Sequence, residues 1–218
     1  KSLQLQVSAW SIDTSYNPDR SYNAVMQFWS GGIGVKNDYE VSGTGGESTG
    51  SPDHAIDNDN GNIDFLVLQF SKPVNLSSIN LGWISNDSDA TIRWGDAPGG
   101  WSVLPLLDNA SISTLNGMVN TGMTYGGGTT TGTRTTGNGG LSDFWIISAA
   151  NPNVNDGTTI NPNYKADYFK LAAIVVSEFP PIPEPGTWIT MIFGFGAIGG
   201  MMRRQRKFAV TSSKLAAI

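Results

Sequence analysis

From Trp188 to Met202 the chain reads WITMIFGFGAIGGMM, fifteen residues without a charge, and Arg203, Arg204, Arg206 and Lys207 follow at once. An apolar run of this length is either a buried core helix or a membrane segment. Four clustered cations behind it and four glycines inside it favour the membrane. A full span takes about 20 apolar residues at a rise of about 1.5 Å each. The segment must therefore recruit Gly186 and Thr187, thin the bilayer, or let its arginines snorkel to the interface. The basic cluster belongs on the cytoplasmic side under the positive-inside rule, which leaves the preceding chain outside.

That preceding chain is acidic. Eight basic and 18 acidic residues come before Trp188, a net of −10, and five basic residues come after it, giving −5 for the whole. An acidic body excludes nucleic acid, which needs a cationic surface. Cysteine is absent, which removes disulfides, thiolate metal sites and cysteine nucleophiles together. A chain that starts at Lys1 rather than Met is what removal of a secretory signal peptide would leave.

The motif Pro183-Glu184-Pro185, the Trp at 188, the Gly194-Phe195-Gly196 centre and the Arg203-Arg204 block resemble the PEP-CTERM sorting signal in its Pro-Glu-Pro-x-x-Trp form. The resemblance implies export through an N-terminal signal peptide, retention by the C-terminal helix, and processing near Pro-Glu-Pro by exosortase. Exosortase is a membrane transpeptidase-like enzyme of Gram-negative bacteria. The likeness covers residues 182–207 and supplies an address, not an activity. Eleven residues, Phe208 to Ile218, follow the basic block where many such signals stop. That departure opens a reading in which the helix is a lasting anchor. The middle of the body, Ser51 to Asn58, Val74-Asn75-Leu76, Ile79 to Trp83 and Asp87-Ser88-Asp89, resembles exosortase-dependent surface proteins with this kind of tail.

In the body, Leu3, Leu5 and Val7 alternate with Gln4, Gln6 and Ser8, the period of a half-buried strand. Further strands are predicted over Tyr22–Trp29, Phe65–Phe70, Ser78–Trp83, Ala90–Trp94, Trp101–Leu106, Phe144–Ser148 and Phe169–Ser177. Only 14% of residues are charged and 27 are Gly, which suits short strands and tight turns better than amphipathic helices. Pro73 and Pro105 are expected at strand ends. Residues 126–140, GGGTTTGTRTTGNGG, have nothing apolar to bury and are expected to form a long loop, as is Ser42–Ser51.

The expected class is all-β: an antiparallel β-sandwich or jelly-roll ectodomain plus one C-terminal transmembrane helix. Residues 1–178 are the extracytoplasmic domain, 179–187 a Pro-rich spacer with the Pro-Glu-Pro motif, 188–202 the transmembrane or sorting helix, and 203–218 a basic cytoplasmic tail.

The chemistry-bearing patterns are few. Gly46-Glu47-Ser48-Thr49-Gly50 matches G-x-S-x-G, with the sole histidine, His54, six residues on. The flanking strand and helix that such an elbow needs are not predicted, so no enzyme is expected. One histidine without cysteine excludes a transition-metal site. Asp57, Asp59 and Asp64 pack oxygen ligands into one stretch that fails the EF-hand spacing but suits an irregular structural Ca²⁺ site or an Asx-rich turn. Asp87 and Asp89 are a weaker candidate for the same ion. Trp83, Trp94 and Trp101 suit either a carbohydrate platform or core packing.

In the apolar segment, Gly196 and Gly200 form G-x-x-x-G, a face that another transmembrane helix can approach, while Ile192, Phe195 and Met202 face lipid. Expected partners are thus membrane lipid, exosortase or other membrane helices, and exopolysaccharide. Expected functions are a non-catalytic envelope or surface protein, an accessory subunit of a membrane complex, or a carbohydrate-binding module.

Overall fold

One strand of 24 residues, Asn62–Ser85, runs through the whole body and pairs along its length with four others. The computed structural model describes residues 2–15, 19–37, 54–59, 61–96, 99–101, 103, 107–110, 128–136, 140–150, 166–178, 190–193, 195, 198 and 201–203, with 119–125 described by backbone. The chain forms two compact units, Lys1–Phe179 and Pro180–Ile218.

In chain order the strands are β1 (Leu5–Asp13), β2 (Arg20–Asn23), β3 (Val25–Trp29), β4 (Gly32–Lys36), β5 (Ile56–Asp57), β6 (Asn62–Ser85), β7 (Ala90–Gly95), β8 (Val119–Tyr125), β9 (Gly132–Thr135), β10 (Ser142–Ala149) and β11 (Tyr168–Ser177). All pairings are antiparallel. The sheet runs β3-β4-β11-β6-β10-β7-β8, with β1 and β9 also on β6, β2 on β1 and β5 on β11.

The first half of β6 lies between β1 and β10, and the second half between β11 and β9. The handover falls at Lys72 and Pro73. β1 registers as far as Phe70, β10 bulges and regains register at Val74, and β11 takes over from Asn75. A proline without a ladder N–H is tolerated where the strand changes partners. The sequence pattern splits β6 into two strands around Pro73, whereas the strand continues through it.

Alternation along β6 explains how the two halves are buried. Leu66, Leu68 and Phe70 face one cluster, and Ile63, Phe65 and Val67 face another, so the first half is covered on both sides. The larger cluster joins Ala9, Ile92, Trp145 and Ile147 with Val35, Leu81, Phe169 and Leu171 from the other end of the sheet. The sheet therefore curls round one core. The second cluster, under Trp10, Ile12, Phe144 and Ile146, is closed by Leu107, whose carbonyl accepts the Ser21 hydroxyl while Ser21 N–H donates to Ala110 O at 2.9 Å.

The all-β class holds, but the expected sandwich or jelly roll does not describe what forms. β6 runs unbroken through the change of partners, so its two halves belong to one eleven-stranded sheet among the described residues. Two further expectations are corrected. Gly132–Thr135, expected in a loop, is β9: Arg134 pairs with Ile79, and the Thr136 hydroxyl donates to Leu76 O. Trp101 and Val103, expected in a strand, sit in a turn closed by Val103 N–H on Gly100 O at 3.3 Å.

In the second unit, residues 190–193, 195, 198 and 201–203 are helical and exposed. Among the described residues no helix is long and apolar enough to cross a membrane, so the transmembrane helix expected over 188–202 is not found there. The spacer at 179–187, residues 188 and 189, and the tail beyond Arg203 lie outside the described residues.

Trp145 is fully buried, its indole N–H donates to Ser142 O at 3.0 Å, and its ring lies 5.6 Å from that of Trp94, its cross-strand partner. Trp145→Ala should cost about 3–5 kcal/mol in urea unfolding. Leu5→Ala, at a position 42% exposed, should change stability by no more than about 0.5 kcal/mol.

Candidate functional sites: an aromatic–cation face and an acidic cluster

On β11, Phe169 and Leu171 point into the core, so Lys170 between them points away from it. Directly across, Trp83 of β6 is its register partner. The Lys170 ammonium lies 4.8 Å from the Trp83 ring centre and 5.0 Å from that of Trp29, which ends β3. Both distances are within cation–π range. Burial against these rings holds the Lys170 pKa below its ordinary value. Trp29 also stacks on the imidazole of His54, with ring centres 5.1 Å apart and planes 5° from parallel.

Glycine allows this assembly to close. The β3–β4 hairpin turn lies directly on β6, and a Cβ at Gly31 would stand 2.5 Å from the Trp83 Cβ. One at Gly82 would stand 2.7 Å from the Ala172 Cβ and run into the Gly31 carbonyl. Backbone meets backbone, and the two indoles are fixed on either side of Lys170.

The acidic cluster forms where β6 ends, β7 begins and β11 begins. Oxygens of Asp87, Asp89 and Asp167 lie within 4.8 Å of one another. Asn86, with φ of 67°, turns the chain sharply, and the Asp87 carboxylate accepts N–H bonds from Ser88 at 2.9 Å and Gly128 at 3.0 Å. Asp167 accepts the Asp89 N–H at 2.7 Å and the Asn58 amide at 2.7 Å. Burial raises the Asp167 pKa to about 7, and the charges of Asp89 and Asp87 add to the rise, while its bonds from Asp89 N–H and Asn58 oppose it. Carboxylate oxygens are the donor set that Ca²⁺ takes.

The expected calcium residues are placed as follows. Asp64 is buried near the start of β6 and accepts from the Asn37 amide at 3.2 Å. Asp57 is buried on β5 and accepts from Asp59 N–H at 3.3 Å, and Asp59 accepts the Tyr168 hydroxyl at 2.7 Å. The structure thus gathers Asp87 and Asp89 with Asp167, a residue the sequence did not single out, and sets Asp57 and Asp59 beside them through Asn58 and Tyr168. Of the three tryptophans expected on a sugar platform or in the core, Trp94 packs on Trp145, Trp101 is half-buried in a turn, and Trp83 joins the cation face. Ser48, Pro183, Glu184, Pro185, Trp188, Gly196, Gly200 and Arg204 lie outside the described residues, and Arg203 is helical and exposed.

An acid whose pKa is raised on folding holds its proton longer in the folded state. Below about pH 4 both states are protonated, and above about pH 7 both are ionised, so stability falls only as pH rises between these limits. The melting midpoint should therefore drop from pH 5 to pH 8, with a contribution of up to about 1.4 kcal/mol per pH unit inside the window. Asp167→Asn should flatten that slope, measured by thermal unfolding at a series of pH values.

Residues 181–207 match the family model of the PEP-CTERM protein-sorting motif. No curated protein and no solved structure matches the chain. The chain carries the PEP-CTERM sorting signal, the address of an exported, exosortase-processed protein of the cell envelope.

Proposed function

We propose that this chain is a non-catalytic surface protein, whose β-rich body is displayed outside the cytoplasmic membrane in a structural or interaction role after delivery by its C-terminal tail. The observation that carries the reading is the sorting motif at 181–207, set behind a body with its own core. Met191, Ile192, Phe193 and Phe195 are all more than half exposed, an apolar surface suited to lipid or to the exosortase. Arg203 and the cations after it hold that end at the cytoplasmic face.

A non-catalytic role fits the site chemistry. The sole histidine is stacked on Trp29, and the Asp87 and Asp167 carboxylates, the second of them buried, are taken up by N–H groups of Ser88, Gly128, Asp89 and Asn58. The accessory-subunit reading needs the helix to persist, with Gly196 and Gly200 packed on a neighbouring helix.

The mass of the C-terminus in protein taken from cells separates the two. Cleavage near Pro185 in the parent strain, with an intact Ile218 when exosortase is deleted, is the expected result. An intact Ile218 in both strains would overturn sorting and leave permanent anchoring.

A further inference from the structure

The chain has 18 acidic residues, yet few lie on the strands around Lys170. β3, β4, β9, β11 and the second half of β6 bear Lys36, Arg134 and Lys170 as their charged side chains. The one carboxylate nearby in the sheet, Asp57 on β5, is buried. Lys36 follows core-facing Val35, and Lys170 lies between core-facing Phe169 and Leu171, so both cations stand on the side away from the core. Among the described residues Lys170 makes no ion pair. Its ammonium rests on two indoles, partly dehydrated, and no carboxylate pairs with it among the described residues.

We propose that this face, centred on Trp29, Lys170 and Trp83, binds a polysaccharide that carries carboxylate groups. Indole rings offer apolar surface to the C–H faces of sugar rings, and Trp29, stacked on His54 on one side, remains 49% exposed. Lys170 supplies a charge-assisted bond to a sugar carboxylate between those surfaces. Its pKa, lowered by burial, would return upward when such an anion arrives. The Gly31–Gly82 contact holds the rings apart before any ligand binds, which spares the ordering cost of assembling them. A neutral glycan would leave the ammonium unpaired, and a nucleic acid would meet the acidic remainder of the body. The inference goes beyond the sorting reading and stands on the body alone, so the fate of the C-terminus does not decide it.

The test uses the full chain in detergent, titrated with alginate oligosaccharides, with neutral dextran and with single-stranded DNA, and read by calorimetry and tryptophan fluorescence. Alginate should bind, more weakly as salt rises. Lys170→Met, which keeps the stem and removes the charge, and Trp29→Ala should each lower alginate affinity about tenfold or more. Unchanged melting midpoints in both variants separate loss of binding from loss of fold. The proposal is overturned if the parent protein does not bind alginate, or if both folded variants bind it as the parent does. Equal affinity for dextran, or tighter binding of DNA, overturns it as well.

Discussion

Everything in the body hangs on β6 being able to bury both of its faces. A strand exposed on one side can be served by a single layer, but Ile63, Phe65 and Val67 point opposite to Leu66, Leu68 and Phe70, and both sets need cover. The curled sheet covers the second set, and the segment carrying Leu107 covers the first. Past Pro73 the pattern relaxes to one buried face: Leu76, Ile79 and Leu81 turn inward, while Asn80 and Trp83 are partly open. The open side of the molecule exists because β6 changes from two-faced to one-faced along its length.

That change also separates the charges. On the two-faced half, polar groups that enter the interior draw on partners inside it, as one oxygen of the Asp64 carboxylate does on the Asn37 amide. At the far end of β6 the turn at Asn86 brings three carboxylates together, and Asp167 relieves the crowding by holding its proton to about pH 7. On the open side of the same half-strand the charges are cationic. Among the described residues, an acidic chain has in this way gathered its cations on one face and crowded carboxylates at another.

Much of this was legible before the structure, and the failures have physical causes. The all-β class and the strands over Phe65–Phe70, Ala90–Trp94, Phe144–Ser148 and Phe169–Ser177 follow from alternation and turn residues, which act locally. Pro73 read as an end because sequence does not show which backbone groups have partners at a handover. β9 read as loop because its Gly and Thr residues have no apolar alternation, and it is a strand through its ladder to β6. β4 escaped for a related reason: Gly32 and Gly34 were needed for close approach, not for a turn alone. Asp167 and Lys170 lie about eighty residues from Asp87 and Trp83, and nothing local joins them. The tail was read from its motif, since a short signal keeps its meaning without tertiary contacts.

The sorting signal and the body answer different questions, and the physics of each shows why one cannot stand in for the other. A signal recognised as a short linear segment must work behind many bodies, so its residues carry no information about a ligand. Recognition by a β-sheet face depends on side chains brought together from distant strands and held at fixed separations. Here the fixing element is the absence of side chains at Gly31 and Gly82, which sets the hairpin against β6 and the indoles on either side of Lys170. A larger residue at either glycine would leave the sorting motif untouched while moving Trp29 relative to Trp83. Address and body are therefore separable in this chain: the first resides in residues 181–207, and the placing of Trp29, Lys170 and Trp83 in the second depends on how closely two stretches of backbone can approach.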